Sequence, residues 1–123
     1  MLNWAIIGSG DVVQRLVSNS LFINNKSSVT YVVSDNLEEA RKYGNKHKIK
    51  FIYYKSKRNL NRILEDTNIN SIYIATPPNS HFFYINFFCK KKINIVCEKP
   101  LVINKTEIQK LKKLIKNYKF NLF

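Results

Sequence analysis

Hydrophobic positions along the chain fall into short unbroken runs, separated by stretches in which the apolar residues spread out to helical spacing. Ala5-Ile6-Ile7 is the first run; Gly8 ends it, as expected of a buried strand with its turn. From Asp11 onward Val12, Val13, Leu16, Val17 and then Ser20-Leu21 recur at the spacing of a helix. Val29 to Val33 predicts a second strand. Asn36 follows with Glu38 and Glu39, a cap residue and two carboxylates where a helix N-terminus favours them, and Gly44 is the expected stop. Phe51 to Tyr54 predicts a third strand, and Leu60, Ile63 and Leu64 mark a short third helix. Ser71 to Ala75 predicts a fourth strand, cut off by Pro77-Pro78, which cannot continue a ladder. An apolar helix from about His81 to Cys89 and a fifth strand from Ile93 to Cys97, ended by Pro100, come next. In the last helix Asn104 is the cap and Glu107 occupies the capping-box position. Ile108, Leu111, Leu114 and Ile115 form its apolar stripe, and Lys110, Lys112, Lys113 and Lys116 fill its solvated side. Lys119 to Phe123 begins a sixth strand.

Strands that are apolar throughout and alternate with helices require a parallel sheet covered on both faces. The expected fold is therefore α/β, a doubly wound sheet of about five to six strands in one domain. A chain that is 45% hydrophobic and 13% aromatic carries enough apolar material for a core, which argues against disorder. There is no run of about 18 apolar residues to span a membrane. Met1-Leu2-Asn3-Trp4 lacks the basic and long apolar regions of a signal peptide, so a cytoplasmic protein is expected. Cys89 and Cys97 lie in apolar surroundings with no CxxC pattern, as expected of reduced thiols, and no metal is implied.

The formal net charge of +13 admits two readings. A basic surface can be an electrostatic footprint for nucleic acid. Here, however, 17 of the 21 basic residues are lysine, scattered along the chain, and they accompany abundant Asn, Ile, Tyr and Phe. Codon composition produces that pattern without a partner, so no specific nucleic acid is expected.

Four segments carry candidate chemistry. Gly8-Ser9-Gly10-Asp11-Val12-Val13 stands between the first strand and first helix. In that context Gly8 permits a tight turn, and Gly10 lets the backbone approach a pyrophosphate on the helix N-terminus. This is the pattern of a Rossmann-type dinucleotide-binding fold, although Val13 stands where a third small residue is usual. Ser34-Asp35 ends the second strand, 25 residues after Gly10. Asp35 has two readings, an acceptor for an adenosine ribose that would repel a 2′-phosphate, or merely a cap for the next helix. Ala75-Thr76-Pro77-Pro78-Asn79-Ser80-His81 lies at the carboxyl end of the fourth strand, where ligands bind in open α/β sheets. Taken alone, it reads as a turn followed by a helix start. Glu98-Lys99-Pro100 ends the fifth strand, and Pro100 pushes Lys99 out of helical backbone. Read alone, the Glu–Lys pair is a surface pair; its place on the same sheet edge as the other three segments suggests a site.

Gly8-Ser9-Gly10-Asp11-Val12, Ala75-Thr76-Pro77-Pro78-Asn79-Ser80-His81 and Cys97-Glu98-Lys99-Pro100-Leu101, in this order and spacing, resemble the Gfo/Idh/MocA family, that of glucose–fructose oxidoreductase and inositol dehydrogenase. The resemblance covers essentially the whole chain. It implies an N-terminal domain holding NAD or NADP and a second domain, beyond these residues, that holds a sugar or polyol. It further implies that Gly8, Ser9, Gly10, Asp11, Val12, Ser34, Asp35, Ala75, Thr76, Pro77, Pro78, His81, Glu98, Lys99 and Pro100 surround the cofactor. Glu98 would contact the nicotinamide ribose, and Lys99 would be catalytic, binding the substrate hydroxyl and assisting proton transfer. The Lys99–Pro100 bond is a candidate cis peptide on the same ground. Asp35 stands where many NADP-using members carry Arg, which leans toward NAD. The histidine that partners the lysine in the family would lie beyond Phe123.

The leading expectation is thus a cofactor half that binds dinucleotide but turns over no sugar or polyol alone. The alternatives are a non-catalytic nucleotide-binding or interaction module and, further off, a basic nucleic-acid-binding domain. Phe120, Leu122 and Phe123 at the end of an incipient strand imply self-association through an open sheet edge.

Overall fold

The computed structural model describes residues 1–23 and 25–123; the side chain of Leu16, expected on the apolar face of the first helix, lies outside the described residues. Six strands, β1 (Leu2–Ile7), β2 (Ser27–Ser34), β3 (Phe51–Tyr54), β4 (Ser71–Ile74), β5 (Asn94–Cys97) and β6 (Asn121–Leu122), form one sheet. Their order is β3-β2-β1-β4-β5-β6, and every pairing is parallel. Strand order reverses between β1 and β4, and a crevice opens at the carboxyl ends of the strands on either side of such a point.

Strand alternation sends side chains to two faces. Trp4 and Ile6 of β1 pack with Val13, Leu21, Val32, Tyr43 and Tyr73, while Ala5 and Ile7 pack with Leu60, Ile63, Tyr84, Ile85, Phe88 and Leu111. The first face is covered by a helical segment over residues 11–22, closing as α1 (Ser18–Phe22), and by α2 (Leu37–Lys46). The second is covered by α3 (Lys57–Glu65), α4 (His81–Phe88) and α5 (Lys105–Asn117). Phe88, Ile85 and Ile63 are wholly buried; each side chain of this size withdrawn from water contributes about 1.5–3 kcal/mol. No helix among the described residues is long and apolar enough to cross a membrane.

Local chemistry explains most helix starts. Asn36, Ser56 and Asn104 each accept the backbone N–H of the residue three further on, Glu39, Asn59 and Glu107. Glu107 also accepts the Ile103 N–H at 2.9 Å, closing the cap from the other side. The first helix widens into a π turn over Val13–Val17, beginning at the branched residue that replaces the usual small one. Val13 is fully buried there, and its carbonyl accepts the Ser18 hydroxyl at 2.6 Å.

Three expectations need refinement. The second helix stops near Gly44 as expected, at Lys46, but Gly44 is not its cap: it is buried within the helix, where a Cβ would stand 2.5 Å from Ile52 Cδ1, so it serves helix–sheet contact. The turn instead falls at Lys48, whose φ is 55°. The α5 stripe is only half used: Leu111 is buried, whereas Ile108 and Ile115 are exposed. At the sheet edge Phe120 and Leu122 pack against the core and Phe123 alone of the three is exposed, so less apolar surface is bare there than expected, while β6 remains the edge strand.

Candidate functional site

Pairing register brings the four segments to one sheet edge. Ile7 pairs with both Val33 and Ile74, and Ile74 with Cys97, so Gly8, Ser34, Ala75 and Glu98 are the next residues along four parallel strands. Ser34 pairs with Tyr54, which puts Lys55 beside Asp35 at the end of β3. A cleft of about 490 Å³ opens over this edge. Of the expected residues, Gly8, Ser9, Gly10, Ser34, Asp35, Ala75, Thr76 and Pro77 line it, together with Glu39, Lys55, Asn79, Ser80 and Tyr84.

The two glycines do different work. Gly8 has φ +104°, and a Cβ on it would lie 2.6 Å from the Ala75 carbonyl oxygen; its N–H donates to the Val33 carbonyl at 2.7 Å. The turn therefore exists only because this residue lacks a side chain. A Cβ placed on Gly10 would meet nothing within 4 Å, so the space beside it is open at the mouth of the cleft. That is the cradle a pyrophosphate needs, close to bare backbone at a helix start.

Ser9 is buried between these glycines. Its hydroxyl donates to Glu39 Oε1 at 2.9 Å and lies 2.9 Å from Ser34 Oγ, which accepts the Asn36 N–H. Gln14 Nε2 donates to the Ser9 carbonyl at 2.8 Å. The loop is thus tied to β2, to α2 and to its own helix before any ligand arrives. Asp35 makes no hydrogen bond or ion pair among the described residues; Asn36 does the capping, so the cap reading of Asp35 falls away. Asp35 and Glu39 set two carboxylates against one amine, Lys55, on the lining.

The remaining expected residues lie outside the cleft lining. Asp11 pairs with Arg15 at 2.8 Å on the surface, and Val12 is exposed at the helix start. Pro78 opens a short 3-10 turn, Pro78–Ser80. His81, expected among the cofactor contacts, is completely buried: Nδ1 lies 2.8 Å from the Pro100 carbonyl oxygen and Nε2 2.8 Å from that of Thr76. It bridges the loop after β4 to the loop after β5, with each ring nitrogen facing a backbone carbonyl. Lys99 and Pro100 are exposed, joined by a cis peptide as the resemblance implied. Glu98 accepts the Tyr73 hydroxyl, and its N–H donates to the Ile74 carbonyl at 2.9 Å. Burial, followed by that bond to Glu98, raises the Tyr73 pKa, so the phenol stays a donor. Burial and then the Glu98 charge push the Cys97 thiol up to about 12, which leaves it unreactive.

Glu39, Lys55, Asn79, Ser80 and Tyr84 were not among the expected contacts. Lys55 is the first residue after β3, so the strand-end rule applied to that strand points to it. Tyr84 lies one helical turn beyond Ser80.

An all-parallel sheet with its order reversed at β1, a glycine turn into a helix and a cleft over the strand ends define a Rossmann-class dinucleotide-binding domain. The chain belongs to the Gfo/Idh/MocA family: the profile of that oxidoreductase family, with its NAD-binding Rossmann fold, matches residues 2–122. An uncharacterized oxidoreductase of Escherichia coli K12, YgjR, is 31% identical over 108 residues, which are 88% of this chain and 31% of that protein. Among solved structures, a probable dehydrogenase from Thermotoga maritima superposes with a TM-score of 0.85 at 21% identity, covering 99% of this chain and 35% of that one. A 3-ketoreductase from Actinomadura kijaniata, solved in complex with NADP, gives 0.79 at 17% identity, covering 95% of this chain and 36% of that one. The chain spans about a third of the length of the relatives it matches. It is an NAD(P)-binding domain of the family.

Proposed function

We propose that the cleft holds a nicotinamide dinucleotide with its pyrophosphate over Gly10, its adenosine ribose at Asp35 and its nicotinamide end toward Thr76, Glu98 and Lys99. The open space above Gly10, beside a loop already fixed by Ser9 and Gln14, is the observation that carries this reading. The bound cofactor supplies hydride transfer. The chain's own residues would bind and orient: Asp35 accepts from the ribose, and Glu98, braced by Tyr73, stands at the nicotinamide end. Lys99 is exposed, with no side-chain partner among the described residues, and its Nζ is free to hold a sugar or polyol hydroxyl and exchange a proton with it. Fixing the reacting carbon is a large part of the rate enhancement, and Lys99 lies outside the cleft lining among the described residues. In a whole protein of this family, we infer, further residues complete a polyol or sugar oxidoreductase, while these 123 residues bind without turnover.

Cofactor preference follows from the lining charge. Two carboxylates against one lysine disfavour a 2′-phosphate, so NAD should bind more tightly than NADP. Asp35→Arg is expected to reverse that order, improving NADP affinity about tenfold or more by phosphate pairing. Fluorescence titration with NADH and NADPH measures it; equal affinities in the native protein, unmoved by the substitution, contradict this assignment of Asp35.

A further inference from the structure

Tyr84 is a buried polar residue of the cleft with no role yet assigned. It sits on α4 and is 4% exposed, its ring packed in the core with Ile85 and Phe88 and edge-on to Phe83 at 5.1 Å. A ring so held has one orientation. Its hydroxyl has no hydrogen-bond partner among the described residues. The fully buried, unpartnered side-chain polar atom among those residues is Trp4 Nε1, so the Tyr84 oxygen keeps an opening, and the residue lines the cleft. That opening leaves the hydroxyl available to a ligand that enters the cleft.

The neighbourhood says which part of a ligand that is. Tyr84 shares the cleft with Asp35 and Lys55, which follow β2 and β3, strands on the opposite side of β1 from the β5 end that carries Glu98 and Lys99. Tyr84 and Asp35 line the same cleft, and burial, followed by the negative charge of Asp35, raises the Tyr84 pKa and keeps the phenol protonated. A carboxylate can only accept hydrogen bonds, whereas a phenol can donate or accept. Together they match two adjacent hydroxyls, which need acceptors and can themselves accept.

We propose that Tyr84 reads the adenosine ribose: its unpaired hydroxyl hydrogen-bonds the diol that Asp35 also holds, making Tyr84 a specificity residue of the cofactor site. This rests on the dinucleotide reading above. The test is calorimetric titration of the native chain and Tyr84→Phe with ADP-ribose and with its analogue lacking both hydroxyls of the adenosine ribose. The native chain should prefer the diol. Tyr84→Phe, which keeps the ring and its packing, should bind ADP-ribose about fivefold more weakly and the analogue unchanged within about twofold. Equal loss on both ligands, or no loss on ADP-ribose, overturns the assignment to Tyr84. So does a native chain that binds both ligands alike, a result that does not depend on how the variant folds. A native chain that binds neither ADP-ribose nor NAD sinks the dinucleotide reading itself, and this inference with it.

Discussion

Gly8→Ala should destabilise the protein by about 3 kcal/mol or more. A φ of +104° is strained for any L side chain, costing about 1–2 kcal/mol on its own. The added Cβ would also meet Ala75 O at 2.6 Å and Ala75 C at 2.8 Å, both backbone atoms of the adjoining strand end. Backbone cannot rotate away as a flexible side chain can. Relief would require β1 and β4 to part where Ile7 pairs with Ile74, or the Gly8 N–H to abandon the Val33 carbonyl. Either adds an overpacking penalty of about 1–3 kcal/mol. For a domain of this size the sum corresponds to a fall in Tm of about 10–15 °C. Thermal unfolding followed by circular dichroism measures it, and an unchanged Tm would mean the turn is not built as described.

Gly10→Val should do the reverse, leaving the fold intact and removing the ligand. Nothing lies within 4 Å of the position a Cβ would take, and Gly10 is not among the positive-φ residues, so the Tm should stay within a few degrees of the native value. The branched side chain would instead fill the space over the helix start where a pyrophosphate must come close to backbone. Dinucleotide affinity should fall at least about 100-fold, equivalent to roughly 2.7 kcal/mol. The comparison between the two glycines is sharper than either alone. One loses stability, the other loses only binding, and calorimetric titration beside thermal unfolding separates the two. A Gly10→Val protein that binds NAD like the native chain would remove the pyrophosphate from this turn.

Much of the architecture was legible because parallel strands buried on both faces print as unbroken apolar runs. Ala5-Ile6-Ile7, Phe51 to Tyr54 and Ser71 to Ala75 each marked a strand to within a few residues. The caps Asn36 and Asn104 were legible for a local reason, since a side chain bonding three residues ahead needs no tertiary information. What sequence could not supply was position in space. Gly44 carries the usual mark of a helix end, yet its role is contact with Ile52 on a different strand. Ile108 and Ile115 have the right period for burial, but the sheet beneath α5 reaches only Leu111 and, in part, Leu114.

The site divides along the same line. The glycine turn, Ser34-Asp35 and the Thr76-Pro77 segment come together at the cleft because each closes a strand, and the strand ends align. For His81 the motif gave no sign of its surroundings: only the fold reveals that the Thr76 and Pro100 carbonyls approach its two ring nitrogens from two loops. Tyr84 and Lys55 carry no local mark of function. A tyrosine on an apolar helix reads as core, and one lysine among 17 reads as surface. Their place in the cleft depends on β2, β3 and α4 meeting at one edge.

Dinucleotide binding by the chain itself is the central claim, and isothermal titration of the purified 123-residue protein with NAD, NADH, NADP and NADPH tests it most directly. One binding site per chain is predicted, with a dissociation constant for NAD or NADH below about 1 mM, the upper end of the usual range of enzyme KM values, and weaker binding of the 2′-phosphorylated pair. Absence of binding by all four at millimolar ligand, from protein that unfolds cooperatively, would contradict it.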